Sequence, residues 1–413
     1  MTRPALLSLD DALPQLLAQA HTLAGSQTVS TFEADGRVLA QDVVAALQVP
    51  PQDNSSMDGY AVRAGDCLEA GALLRVTQRI PAGTHGTQLH SGEAARIFTG
   101  APIPPGADAV VMQEDCEALA GEQLKVLKPV PAGQWIRRSG EDVTRGATVL
   151  RQGTRLTPAE LGLAASIGLA QLPVSARPRV ALFSTGDELV MPGDVTPEVM
   201  PAGAIYNSNR FFLRAMLQRL GCEVTDLGIV PDQRQATIAA LRDAAQHHDL
   251  ILTSGGVSVG EEDHIKPAVD HLGELNLWQL AIKPGKPFAY GTVHRSAQGE
   301  ACHFMGLPGN PVSSFVTFLL LVRPFVLSLQ GVTNTEITRT HMRADFDWPR
   351  ADKRREFLRV KRNTQGGLDL FPNQSSGVLT SAVWGDGVVD NPGGQAIAKG
   401  NIVRFISFAE WLA

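Results

Sequence analysis

From Arg179 to about Gln330, short apolar runs alternate with capped, helix-periodic segments, and this alternation constrains the fold more than any other feature of the chain. Val180-Ala181-Leu182-Phe183 reads as a short buried strand, and Asn207-Ser208-Asn209 caps a helix that runs through Leu220 and stops at Gly221. Cys222–Val230 reads as strand, Gln233–His247 as helix, Asp249–Thr253 as strand, and Asp263–Leu272 as helix ending at Gly273. Two more strands, near Leu275–Ile282 and His303–Gly306, precede a helix from about Val312. Such a pattern predicts a mostly parallel sheet with helices on its faces. Ligands of such sheets bind outside the carboxyl ends of the strands, so the loops at those ends form the candidate site.

Four loops qualify. Ser254-Gly255-Gly256-Val257-Ser258-Val259-Gly260 carries glycines that let backbone N–H groups approach a phosphate closely. It fits neither the Walker A spacing nor G-x-G-x-x-G. In Ser184-Thr185-Gly186-Asp187-Glu188 two adjacent carboxylates can hold Mg²⁺, which takes oxygen ligands and keeps waters and substrate phosphates. Lys283-Pro284-Gly285-Lys286-Pro287 sets two ammonium groups on a stiff turn, an arrangement suited to an oxyanion. Leu307-Pro308-Gly309-Asn310-Pro311-Val312-Ser313 is a second rigid loop at a neighbouring strand end. Taken singly, each motif also has a plain explanation as a glycine turn, an exposed acidic pair or solvated lysines.

The flanks read differently. From about Val43 to Asp142, the apolar stretches Leu73–Val76, Ala94–Phe98, Ala109–Met112 and Leu124–Leu127 are separated by Pro and Gly, as in a small β module. Ser8-Leu9-Asp10-Asp11 opens one helix, in which Pro14 is out of place, and Thr157-Pro158-Ala159-Glu160 opens another. The β module is therefore expected to be an insertion. After about Thr333, Glu356–Val360, Leu368–Phe371 and Ile402–Phe408 indicate a second β module. The expected division is 1–44 with 143–176, an inserted β-rich domain 45–142, an α/β domain 177–330 and a C-terminal β domain 331–413.

Composition excludes several classes. Lys and Arg number 36 against 42 Asp and Glu, a net charge of −6, which argues against a nucleic-acid partner yet leaves room for a locally basic pocket. The longest clear apolar run, Phe315–Val322, is well short of the ~18 residues of a membrane helix, so no membrane is expected. Asp10 and Asp11 stand where a signal peptide needs apolar residues. Cys67, Cys116, Cys222 and Cys302 are scattered, without metal-ligand spacing, and read as thiols of a reducing, cytoplasmic protein. His247-His248 reads as surface, and there is no convincing Ser-His-Asp or Cys-His set.

Several segments together carry a resemblance. They are Asp53–Arg63, Phe98–Pro102, Pro105–Val111, Gly140-Glu141-Asp142, Ser184–Leu189, Ile205–Asn209, Thr253–Gly260 with Asp263, Ala281–Phe288 and Gly306–Ser313. In these the chain resembles the molybdopterin molybdenumtransferase family: the bacterial MoeA proteins and the E domains of gephyrin and plant Cnx proteins. The resemblance implies a four-domain subunit with a molybdopterin-binding type of α/β domain and a C-terminal barrel-like β domain. It implies a homodimer with a shared active site, and a reaction in which adenylylated molybdopterin and molybdate give molybdenum cofactor and AMP with Mg²⁺ present. Molybdopterin adenylyltransferase and molybdoenzyme maturation factors are the partners it suggests.

Combined with the loop reading, the resemblance gives Asp58, Asp142, Glu188, Asp232 and Asp263 as catalytic, with Glu188 and Asp263 on the metal. Substrate or molybdate binding falls to Thr99, Arg137, Ser254, Gly255, Gly256, Ser258, Lys283, Lys286, Pro308, Pro311, Ser313 and Ser376. Asp58 and Asp142 are expected to face the partner subunit's α/β domain. The chain departs from the family at Asn207, where Asp is usual, at Gln374-Ser375-Ser376 in place of Gln-Gly-Ser, and at Gly385-Asp386 in place of Ala-Asn. The competing readings are molybdopterin adenylylation, whose enzymes usually lack both β modules, and a partner-binding scaffold without catalysis.

Overall fold

The computed structural model describes residues 6–256, 264–295 and 301–412. Helix α1 (Leu9–Leu17) starts at Ser8, whose hydroxyl accepts the Asp11 N–H at 3.1 Å and donates to the Asp11 carboxylate at 2.6 Å. Pro14 lies inside this helix. Leu9, Ala12 and Leu16 pack into one core with Leu217 and Phe325, so α1 is joined to the α/β part. Residues further on behave otherwise. The strand Ser26–Ser30 pairs antiparallel with Gln171–Ser175, and Ala34, Leu39 and Val43 share a core with Val143, Leu156 and Ala164. Helix α2 (Pro158–Ser166) begins with the Thr157 N–H donating to Glu160 at 2.9 Å. Between these two stretches, strands 59–62, 72–80, 93–97, 109–112, 116–119 and 123–126 form a six-stranded sheet with its own apolar clusters.

The central sheet is built from β1 (Arg179–Thr185), β2 (Glu223–Val230), β3 (Leu250–Ser254), β4 (Gly273–Gln279), β5 (Pro287–His294) and β6 (Ala301–Leu307), in the order β2-β1-β3-β6-β5-β4. β2, β1, β3 and β6 are parallel, whereas β5 is antiparallel to both β6 and β4. Alternation along β1 explains the layers. Val180 and Leu182 enter the core with Leu213 and Leu217 of α3 (Asn209–Arg219), while Ala181 and Phe183 enter the opposite core with Leu241 of α4 (Arg234–His247) and Val269 of α5 (Ile265–Leu272).

β5 is the strand that the sequence pattern did not mark. It opens with a proline, and Gly291 interrupts it. That glycine is needed because a Cβ there would lie 2.2 Å from the Glu274 carbonyl on β4. Running antiparallel, β5 starts at the same sheet edge where β6 ends. His248 is also placed differently from its expected surface position: it is buried, with Nδ1 2.8 Å from the Ala244 carbonyl where α4 turns into β3.

Helix α6 (Pro311–Leu329) is one run of 19 residues with mean hydropathy 1.9. By length and composition it is apolar enough to cross a membrane, although Ser313, Ser314, Thr317 and Arg323 break up its apolar run. Its most apolar stretch is 83% buried within the protein, as in a core helix. The C-terminal part closes a five-stranded barrel: 355–362, 367–370, 340–344, 402–407 and 387–391, which returns to 355–362. Strands 340–344 and 387–391 were not evident in the sequence, since their partners are distant in the chain. A short strand, Ile282–Lys283, runs parallel to Arg355–Glu356 and ties the barrel to the α/β sheet.

Candidate active site

A cleft of about 400 Å³ opens at the carboxyl ends of β1, β3 and β6. Backbone contacts between three loops shape it. Gly255 has φ +93°, and a Cβ there would lie 2.8 Å from the Thr185 carbonyl, so the loops after β1 and β3 meet through glycine. Asn209, the first residue of α3, binds two of these loops together: its Nδ2 donates to Ser254 Oγ at 2.8 Å and to the Gly309 carbonyl at 2.7 Å.

Two helix N-termini converge on the cleft. Ser208 and Asn209 at the start of α3, and Asn310, Pro311 and Ser313 at the start of α6, all line it. The positive ends of both helix dipoles therefore favour an anion there. Two buried amides add polar groups. Since the Gly309 carbonyl can only accept, Asn209 turns Oδ1 away from it, and that oxygen is buried with no partner among the described residues. Asn207 is 2% exposed; its Oδ1 accepts the Arg210 N–H at 3.3 Å, leaving Nδ2 buried and likewise without a partner. An unsatisfied donor and an unsatisfied acceptor thus lie buried in the two asparagines that line the cleft.

Glu188 is the acidic side chain that lines the cleft; its exposed neighbour Asp187 does not. The Glu188 carboxylate folds over Gly186, where a Cβ would come within 2.5 Å of it. Ser254, Gly255, Pro308, Pro311 and Ser313 line the cleft with Glu188, and Gly256 continues the turn at φ +66°. Ser258 and Asp263 lie outside the described residues. Asp232 follows the end of β2, half-buried and away from the cleft lining.

The two lysines separate. Lys283 Nζ is 3.2 Å from Glu356 Oε1 and 3.6 Å from Asp352 Oδ2, so it neutralises the buried Glu356 carboxylate of the barrel. Lys286 is exposed, makes no ion pair among the described residues, and directly precedes Pro287, which lines the cleft. The barrel reaches the site through Ser376, whose carbonyl accepts the Val312 N–H of α6 at 2.9 Å.

Behind Ser376 stands a residue that nothing in the sequence marks. Arg359 is 1% exposed and donates to Ser381 Oγ at 3.1 Å, the Phe357 carbonyl at 3.1 Å and the Ser375 carbonyl at 3.2 Å. Its backbone also clasps the Gln374 amide, at 2.9 and 3.0 Å. Burial lowers its pKa to about 10, which still leaves a cation at neutral pH. Arg359 thus positions the 374–376 loop against α6.

On the inserted module, Asp58 Oδ1 accepts both the N–H and the hydroxyl of Thr99, each at 2.8 Å. The backbone bond first, then the hydroxyl, holds the Asp58 carboxyl below its ordinary range. Arg137 lies exposed in a two-residue strand opposite Asn54, and exposed Asp142 anchors its N–H on the Val49 carbonyl at 3.0 Å. None of Asp58, Thr99, Arg137 and Asp142 lines the cleft of its own chain.

Fold and cleft define a multidomain protein centred on an α/β domain with a cleft at its strand ends. Models of the MoeA N-terminal region (domains I and II), a probable molybdopterin binding domain and the MoeA C-terminal region (domain IV) match residues 7–168, 181–328 and 341–408. A molybdopterin molybdenumtransferase of Haemophilus influenzae is 41% identical over 326 residues, covering 79% of this chain and 78% of that one. Another, of Synechococcus elongatus, is 36% identical over 92% of this chain and 93% of its own. The crystal structure of a molybdopterin biosynthesis MoeA protein from Pyrococcus horikoshii superposes with TM-score 0.82 at 28% identity, covering 98% of this chain and 100% of that one. The chain belongs to the molybdopterin molybdenumtransferase, or MoeA, family.

Proposed function

We propose that this chain is itself a molybdopterin molybdenumtransferase, which takes adenylylated molybdopterin and molybdate to molybdenum cofactor with release of AMP. The observation that carries this reading is the convergence of two helix N-termini and glycine turns on a cleft that holds Glu188. Helix termini and backbone N–H groups suit a diphosphate, and the Asn207 and Asn209 amides can pair with a polar ring edge. Lys286 at the rim suits the tetrahedral molybdate dianion. Cleavage of a P–O bond in the diphosphate bridge, which leaves the bond pair on the departing oxygen, needs mainly positioning and stabilisation of that charge, which these groups suit.

Glu188 offers an exposed carboxylate at the cleft, and Mg²⁺ typically uses one or two carboxylates together with waters and substrate phosphates, so the donor set fits this ion. Glu188 and Asp263 would hold it. When bound, the ion neutralises charge on the diphosphate as the bond breaks. The subunit is read as part of a homodimer, because Asp58, Thr99, Arg137 and Asp142 are exposed on a module apart from the cleft, and a partner could present them. The same reading keeps the division at 1–44 with 143–176, 45–142, 177–330 and 331–413, save that α1 packs into the core of the α/β part, and it assigns the four free thiols to a reducing cytoplasm.

AMP release from adenylylated molybdopterin, with and without molybdate, tests the proposal. Molybdate-dependent AMP release supports it. Pyrophosphate release from ATP instead favours adenylylation, and neither product favours a scaffold.

A further inference from the structure

A second concavity, about 600 Å³, opens where the start of α1 meets the barrel. Arg339, Lys353, Arg355 and Arg404 line it, with Asp10 at its edge and Asp390 behind it. Four cationic side chains face two carboxylates here, in a chain whose net charge is −6.

Asp390 is 1% exposed and organises the cluster. Arg355 grips it through Nε at 2.5 Å and Nη2 at 2.6 Å, and gives Nη1 to Asp10 at 2.9 Å. All three nitrogens of Arg355 are therefore engaged. Arg339 reaches the same carboxylate through Nε at 3.0 Å, and Arg404 through Nη2 at 3.6 Å. Lys353 is exposed and has no ion pair among the described residues. One carboxylate thus gathers three guanidinium groups; Arg339 also gives Nη1 to the Ile337 carbonyl at 3.3 Å and Arg404 gives Nε to the Asp390 carbonyl at 3.4 Å, which leaves Nη2 of Arg339 and Nη1 of Arg404 without a partner among the described residues. A clamp between barrel and α1 accounts for Arg355 and Asp10. It does not account for Arg339, Arg404 and Lys353 at the same cavity.

We propose that this cavity binds a tetrahedral oxyanion of the phosphate type, free or carried on a nucleotide. A dianion there satisfies the remaining fork donors in charge-assisted bonds and offsets the repulsion among the cations. The site is separate from the cleft of β1, β3 and β6, and the proposal does not depend on the reaction assigned to that cleft.

Calorimetric titration of the full chain with inorganic phosphate, at ionic strength matched with chloride, tests it. Saturable binding is expected in the unaltered protein. The double variant Arg339→Gln/Arg404→Gln should bind phosphate at least about tenfold more weakly while its AMP release is unchanged. Should that variant fail to fold, Lys353→Gln on the exposed turn is expected to weaken binding severalfold. Titrating AMP against bound phosphate separates the sources: competition identifies a nucleotide-borne group, and its absence a free oxyanion. Equal phosphate binding in the unaltered protein and in the folded variants overturns the proposal, as does absence of saturable binding.

Discussion

Glu188 can lie over the loop that follows β1 only because residue 186 has no Cβ. Gly186→Ala would place an L residue at a φ of +142°, so we expect a loss of at least about 1 kcal/mol in stability, and its methyl would displace the Glu188 carboxylate. AMP release should fall with it, because Glu188 is pushed from its place; urea unfolding and turnover measure the two effects. Glu188→Gln should still bind adenylylated molybdopterin on the helix termini and glycine turns, yet release AMP very slowly, with extra Mg²⁺ restoring part of the rate. Normal turnover of this variant at low Mg²⁺ would remove Glu188 from the metal. For the lysines, Lys286→Ala should weaken molybdate dependence roughly 10- to 100-fold, the worth of a charge-assisted contact, with the fold intact. At this scale glycine and acidic loop residues were readable in the sequence, since their chemistry is local. The partnering of Lys283 with Glu356 was not, because it joins residues 73 apart in the chain.

Elements were legible where they announce themselves locally. Ser8 and Thr157 mark helix starts, and the buried run of β1 marks a central strand. β5 was hidden because it opens with a proline and Gly291 interrupts it, and two barrel strands because pairing with partners elsewhere along the chain, and not alternation, makes them strands. Arg359 was hidden for the same reason: a charged residue in a strand announces burial only through the barrel that closes over it. β6 carries a further consequence. His303 is packed against Phe325, at 4.9 Å between ring centroids, and its Nδ1 lies 3.1 Å from the Tyr290 hydroxyl. Burial lowers its pKa to about 4 from the ordinary 6.5. Below pH 6.5 the unfolded chain takes up this proton first, so stability present above that pH is lost as pH falls towards 4. The contribution is up to roughly 3 kcal/mol. Denaturation at pH 7.5, 5.5 and 4.5 should show this slope, and His303→Gln should flatten it; an unchanged slope would assign the acid sensitivity elsewhere.

At the scale of the molecule, the barrel braces the α/β domain at two points, the Ile282–Lys283 strand and Ser376 on the N-terminus of α6. The inserted module carries an exposed polar set, Asp58 with Thr99, Arg137 and Asp142, that the cleft of the same chain does not use. A two-fold dimer that exchanges these surfaces would complete two equivalent sites. Mixing subunits carrying Asp58→Ala with subunits carrying Glu188→Ala tests this most directly, read as molybdate-dependent AMP release. Each variant alone should be nearly inactive. After subunit exchange, half of the dimers are mixed and each holds one intact site, so activity should return to about a quarter of that of the unaltered protein. Mixed dimers that form but recover no activity would contradict a site shared between subunits.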